Sequence, residues 1–234
     1  MNPLERALKY LFGGPKVGGA QEHRLHLWRN APKADLALSH GRQRYVVVDT
    51  ETTGVDLRRD RLIAIGAVGV GSGRIDFSDC FQTVLRQDKP SAETNILIHR
   101  IGGQTQLAGA DPKEAMLEFL EYLGKSPLVA FRAEFDEAML GHGMRAILGL
   151  PFRHPWIDLA FLLPALFPGT ECAALDEWLS HFGLAGAERH DARADALATA
   201  QLLQIALVAA DKVGMTQATH LIAMQKAQRW LGKR

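Results

Sequence analysis

Several things are scarce in this 234-residue sequence, and each scarcity excludes a class of protein. Two cysteines, Cys80 and Cys172, are too few for a disulfide framework and suit a reducing cytosol. No uninterrupted apolar run approaches the roughly 20 residues of a membrane span. The N-terminus carries Glu5 and Arg6 where an export signal would be apolar, so a cytoplasmic protein without membrane contact is expected. Net charge is nearly absent: 27 Lys and Arg face 26 Asp and Glu, so no global basic field exists to grip a duplex. A nucleic-acid partner would have to be held by a local groove and by metals. Repeats and low-complexity tracts are absent too.

What remains is an ordinary, well-filled globular chain. Hydrophobic content of 47% supports a sizeable core and argues against disorder. The length suits one domain with additions.

The chain is organised around Tyr45-Val46-Val47-Val48-Asp49-Thr50-Glu51-Thr52-Thr53-Gly54. Four β-formers in a row predict a strand covered on both faces. If the chain stays extended through Glu51, Asp49 and Glu51 point to the same side, and two carboxylates converge at one strand end. Adjacent anions beside an apolar strand repel and resist desolvation unless something positive compensates. A hard divalent cation with oxygen ligands is the simplest compensator. The competing reading is a polar turn in which Asp49 or Glu51 caps a helix.

Around that strand the sequence predicts a helix over residues 2–11 and an irregular connection over 13–43 with an amphipathic patch at Leu25, Leu27 and Trp28. Apolar runs over 62–70 and 75–85, split by Gly71-Ser72-Gly73, complete a meander of three antiparallel strands. A loop or short helix over 91–103 contains Ile98-His99-Arg100-Ile101. Beyond it come a helix over 111–124, a short strand over 127–131 and a helix over 133–148 with Asp136 in its first turn. Short helices over 158–166 and 175–181 and long ones over 191–210 and 216–231 finish the chain. Strands first, then strands alternating with helices, predict an α/β fold with a mixed central sheet flanked by helices.

His190-Asp191-Ala192-Arg193-Ala194-Asp195 heads the long helix. Asp195 in its first turn is favoured by the helix dipole and can point at a cation. His190 lies on the approach to the same place, with a side chain suited to taking a proton from water near neutrality. Taken singly, His190 and Asp191 read more simply as caps, and Asp136 as a dipole-satisfying carboxylate.

Together these segments resemble the three exonuclease motifs of the DEDDh family, which includes the epsilon proofreading subunit of bacterial DNA polymerase III. The order is Asp49-x-Glu51-Thr52-Thr53-Gly54, then Phe135-Asp136, then His190-x₄-Asp195. The Ile98-His99 segment and Asp158-Leu159 followed by Leu166-Phe167-Pro168-Gly169 agree with it. The resemblance spans roughly residues 44–210, leaving 1–43 as an N-terminal helix and connection and 211–234 as a C-terminal helix.

The resemblance implies an RNase H-like fold and a two-metal 3′-to-5′ exonuclease acting on nucleic-acid 3′ ends. Single-stranded DNA is the first expectation, and a polymerase partner stays open. Asp49, Glu51, Asp136 and Asp195 would hold two Mg²⁺ or Mn²⁺ ions, and His190 would be the general base. Glu51 and the Thr52 backbone would face the terminal sugar and Val55 the last base, with Thr53 and His99 also binding substrate. An exoribonuclease and a catalytically retired binding module remain as alternatives. One departure stands out: family members mostly place His-Asn where this chain has Phe131-Arg132. At the strand-to-helix rim, Arg132 either grips a phosphate while Phe131 stacks on a base, or the pair are a core residue and a solvated charge.

Overall fold

A computed structural model describes residues 18–57, 59–184 and 191–231. The helix expected over 2–11 lies outside them, as does His190. Among the described residues, five strands form one sheet: β1 (Arg44–Thr52), β2 (Leu62–Gly71), β3 (Arg74–Val84), β4 (Leu128–Ala130) and β5 (Trp156–Asp158), ordered β3-β2-β1-β4-β5. β1 to β3 are antiparallel, whereas β4 and β5 join parallel to β1. The sheet is mixed, as expected, with the acidic strand at its centre. β5 was not expected, because three residues between Pro155 and a helix are too few to show alternation.

Side chains alternate across β1, and this alternation divides the molecule. Val46 and Val48 face one apolar layer, with α4 (Pro112–Leu123) and α5 (Glu134–Leu148) packed over them. Tyr45 and Val47 face the other, covered by α6 (Leu159–Leu166), α7 (Leu175–His181) and α8 (Ala192–Lys212). α8 is long and apolar enough to cross a membrane by length and composition. Yet 56% of its apolar window is buried within the fold, the pattern of a core helix laid on β1 and β2.

One correction concerns the connection before β1. Residues read as irregular form α1 (Gly19–Asn30), a helix that seats Leu25 in the core. Arg24 bonds Glu114 and Glu121 of α4 at 2.6 and 2.7 Å, and the Trp28 indole N–H donates to the Gly124 carbonyl at 2.8 Å. Its sequence hides it because few of its residues are apolar.

The helix α2 (Glu93–His99) fills the segment read as loop or short helix, and a further short helix, α3 (Gly103–Leu107), follows it. The last helix, α9 (Ala218–Leu231), covers the open side of β5. There the Gln225 side chain accepts from the Asp158 N–H at 2.7 Å and donates to the Trp156 carbonyl at 2.8 Å. An edge strand's unpaired backbone is thereby satisfied from a helix.

Candidate active site

The site begins where β1 runs out. Asp49 and Glu51 share a strand face with Tyr45 and Val47, the face over which α8 lies. In register, Asp49 sits opposite Gly66 and Glu51 opposite Ala64 on β2, and the pairing shifts immediately after Glu51. Gly66 lets the helix approach: a Cβ there would overlap the backbone of Ala192 and Arg193. Asp191 starts α8 by accepting from the N–H groups of Arg193 and Ala194 at 3.1 and 3.0 Å. It is therefore a cap, as the simpler sequence reading had it. One turn later comes Asp195, 6% exposed.

These placements bring one ligand oxygen each of Asp49, Glu51 and Asp195 within 4.8 Å of one another. Three carboxylates so close repel unless a cation lies among them. Their donors are hard oxygens, the set that Mg²⁺ and Mn²⁺ take in preference to soft metals. The residues fit a divalent metal.

Asp136 is held differently. It lies in the first turn of α5, 6% exposed, and its Oδ1 accepts from the Thr50 hydroxyl at 2.7 Å. Thr50 alternates with Asp49 and Glu51, so this contact is on the other face of β1. Burial pushes the Asp136 carboxyl well above the usual carboxylate range, against the lowering effect of the Thr50 bond, and the charge of Asp158 adds to the rise. Asp49, Glu51 and Asp195 thus form the close group, and Asp136 stands behind the strand end with Thr50.

The loop after Glu51 is tied shut. The Thr53 hydroxyl donates to Asp60 Oδ1 at 2.7 Å, and Asp60 Oδ2 accepts from the Asp56 N–H at 2.8 Å. The Thr52 hydroxyl donates to the Gly54 carbonyl at 2.6 Å. A Cβ at Gly54 would meet the Asp60 carboxylate and displace it from its bonds to Thr53 and Asp56. From outside the loop, the Asn95 side-chain amide donates to the Thr53 carbonyl. Val55 projects at the tip, 86% exposed.

His99 is buried behind that loop. Its Nδ1 accepts from the Ile101 N–H at 3.0 Å, so Nε2 carries the proton toward Ser91 Oγ at 3.2 Å. Buried Gln106 completes the knot with bonds to Ser91 and to the Ile101 carbonyl. Burial lowers the His99 pKa, which favours the neutral ring. His99 thus holds the segment whose Asn95 reaches the Thr53 loop.

Phe131 and Arg132 lie on the turn between β4 and α5. Phe131 packs against the core layer beneath α8. Arg132 takes φ +60°, a left-handed conformation costing a non-glycine residue roughly 1–2 kcal/mol, and one that asparagine tolerates best. Its N–H donates to Asp158 Oδ1 at 2.9 Å and its guanidinium to the Ala173 carbonyl at 3.2 Å. The backbone turn gives a physical reason for the family's asparagine at this position.

A family model described as the RNase T exonuclease matches residues 46–203, from β1 into α8. The chain belongs to this exonuclease family. Its RNase H-like architecture and carboxylate group are those of a divalent-metal-dependent exonuclease domain. A DNA polymerase III subunit epsilon of Aquifex aeolicus is 30% identical over 161 residues, covering 68% of this chain and 77% of the relative. A DNA polymerase III of the PolC type from Thermotoga petrophila is 33% identical over 180 residues. That match covers 76% of this chain, which spans only 13% of the relative.

Among solved structures, E. coli exonuclease I in complex with a dA16 oligonucleotide aligns with TM-score 0.64 at 16% identity, over 73% of this chain and 42% of that one. Exonuclease X in complex with 5′ overhanging duplex DNA aligns with TM-score 0.61 at 23% identity, over 77% and 99%. These two likenesses concern the fold.

Sequence reasoning missed Thr50, Asp60, Gly66, Asn95 and the hub at Asp158. Of these, Gly66 left a signal: a glycine inside a run of β-formers marks a close backbone approach.

Proposed function

We propose that this exonuclease-family chain removes nucleotides one at a time from the 3′ end of DNA, releasing nucleoside 5′-monophosphates. The observation that carries the reading is the convergence of Asp49, Glu51 and Asp195 at the end of β1. The family pattern makes Asp136, at the head of α5, the fourth ligand, although its carboxyl is bonded to Thr50 rather than gathered with these three. Mg²⁺ or Mn²⁺ ions at such a site, two in the family pattern, supply charge that makes water a better nucleophile and stabilises the leaving 3′ oxygen.

The protein's own residues do the rest. The clustered carboxylates fix where cations would sit and, through them, where the scissile phosphate would dock. His190 removes the proton from the attacking water as general base. Glu51 and the closed Thr52-Thr53 loop abut the terminal sugar, and exposed Val55 contacts the last base. His99 acts on substrate through the loop it braces, and Phe131 and Arg132 border the strand path. The exonuclease domain is residues 44–210, with 1–43 and 211–234 lying outside it.

DNA replication or repair in the cytoplasm is the setting that fits the polymerase III relatives, with a polymerase subunit as candidate partner. The neighbour solved with a dA16 oligonucleotide supports single-stranded DNA as substrate, and the one solved with 5′ overhanging duplex DNA supports DNA more broadly. The test is digestion of matched DNA and RNA single strands by the wild type and by Asp195→Asn, with products identified by chromatography. Nucleoside 5′-monophosphates from DNA, lost in the variant, are expected. Faster digestion of RNA, or full activity in the variant, would overturn the reading.

A further inference from the structure

The last helix reaches back into the rim of the site. α9 begins at Ala218, beyond the family match that ends at residue 203, yet it binds the end of β5. Gln225 satisfies the strand's open backbone groups. One turn on, Arg229 donates to Asp158 Oδ2 at 3.2 Å, with its guanidinium 4.9 Å from the centre of the Phe161 ring.

Asp158 is only 1% exposed. Its other oxygen accepts from the N–H groups of Arg132 and Ala160 at 2.9 and 3.0 Å. One carboxylate therefore joins α9, the start of α6 and the left-handed residue that turns β4 into α5. Asp136 lies in the first turn of that helix, four residues after Arg132. A buried anion keeps its place when a cation and donors hold it, and moves toward water when the cation is removed. Loss of the Arg229 bond would shift Asp158, release the Arg132 N–H and loosen a turn that is already costly.

Sealing the edge of β5 does not explain Arg229, because Gln225 makes both of those backbone bonds. We propose that Arg229 is a positioning residue for the exonuclease site, acting through Asp158 and the Arg132 turn on the setting of Asp136. The helix beyond the family match is thus a working part of the site. This rests on the reading of Asp136 as a metal ligand.

The test uses the full chain and titrates Mn²⁺ without nucleic acid by calorimetry, with urea unfolding in parallel. Arg229→Gln keeps a polar donor on a shorter side chain and removes the charge that reaches Asp158. It is expected to bind Mn²⁺ about tenfold more weakly, the low end of what groups behind metal ligands contribute. Arg229→Lys should recover most of that loss. The double variant Arg229→Gln/Asp158→Asn needs no buried cation and keeps an acceptor for Arg132. It should fold and bind Mn²⁺ within a factor of about two of the wild type, since the two changes act on one interaction.

A merely structural Arg229 would lower unfolding stability while Mn²⁺ binding stayed at the wild-type level in Arg229→Gln, and that result would overturn the proposal. If Arg229→Gln does not fold, a double variant that folds but binds Mn²⁺ ten times more weakly than the wild type overturns it equally. Asp136→Asn separates the two readings. Undiminished Mn²⁺ binding in that variant removes the ligand reading and this inference together. Weakened binding there with none in Arg229→Gln removes this inference alone.

Discussion

Gly66 of β2 lies so close under Ala192 at the head of α8 that no side chain fits between them. Because Gly66 is also the register partner of Asp49, this contact sets how near Asp195 comes to the strand carboxylates. Gly66→Ala must push the helix head away, since the obstacle is backbone and cannot rotate aside. Overpacking of this kind costs about 1–3 kcal/mol. The variant is expected to unfold at lower urea and to bind Mn²⁺ weakly while keeping its secondary structure by circular dichroism. Wild-type Mn²⁺ affinity in Gly66→Ala would show that the approach of α8 does not set the site.

Removing a ligand should act in the opposite direction on stability. Asp49→Asn takes one charge from a group of three mutually repelling carboxylates. Without metal, the variant should resist urea at least as well as the wild type, while added Mn²⁺ should stabilise it far less. A metal-free Asp49→Asn clearly weaker than the wild type would mean that the carboxylates hold the fold rather than a cation.

Thr50 and Asp136 form a buried bond across β1 from the carboxylate group. Thr50→Val keeps the shape and removes the donor, leaving Asp136 less satisfied. Urea unfolding without metal should show a loss of about 1 kcal/mol, the usual worth of such a bond. Equal midpoints and slopes for variant and wild type would show that Asp136 gains nothing from Thr50.

The acid limb of stability has a specific source in His154. Its Nε2 donates to the Ser126 carbonyl at 2.6 Å, and burial lowers its pKa to about 4, against about 6.5 unfolded. Between those values the unfolded chain binds more protons than the folded one, so this group makes stability rise with pH from about 4 to about 6.5. Asp136, raised by burial, works the other way: its contribution is present at low pH and lost as pH rises through its folded value. Replacing His154 with Gln keeps a donor for Ser126 and removes the titration. Its stability should therefore rise less steeply than that of the wild type between pH 4 and 6.5. Parallel pH curves would assign the acid limb elsewhere.

How much of this was legible in the sequence depends on how far apart the partners lie. β1, α5 and α8 announce themselves through local periodicity, and the spacing of Asp49 and Glu51 on one extended strand already places them together. Asp195 followed from its position in the first turn of α8. The partition of Thr50 and Asp136 to the opposite face needed the register and the helix packing. Asp158 could not be read as a hub, because its partner Arg229 lies 71 residues away on a helix outside the family match. α1 was missed since a mostly polar helix that buries one leucine leaves almost no periodic signal.

The most direct test of 3′-to-5′, metal-dependent hydrolysis is a time course on single-stranded DNA labelled at its 5′ end, with and without Mg²⁺. The expected result is a ladder that shortens one nucleotide at a time, only with Mg²⁺, and that is absent when the 3′ end is blocked. Immediate release of the label as a mononucleotide, cleavage of the blocked strand at internal positions, or the same ladder in chelator would contradict it.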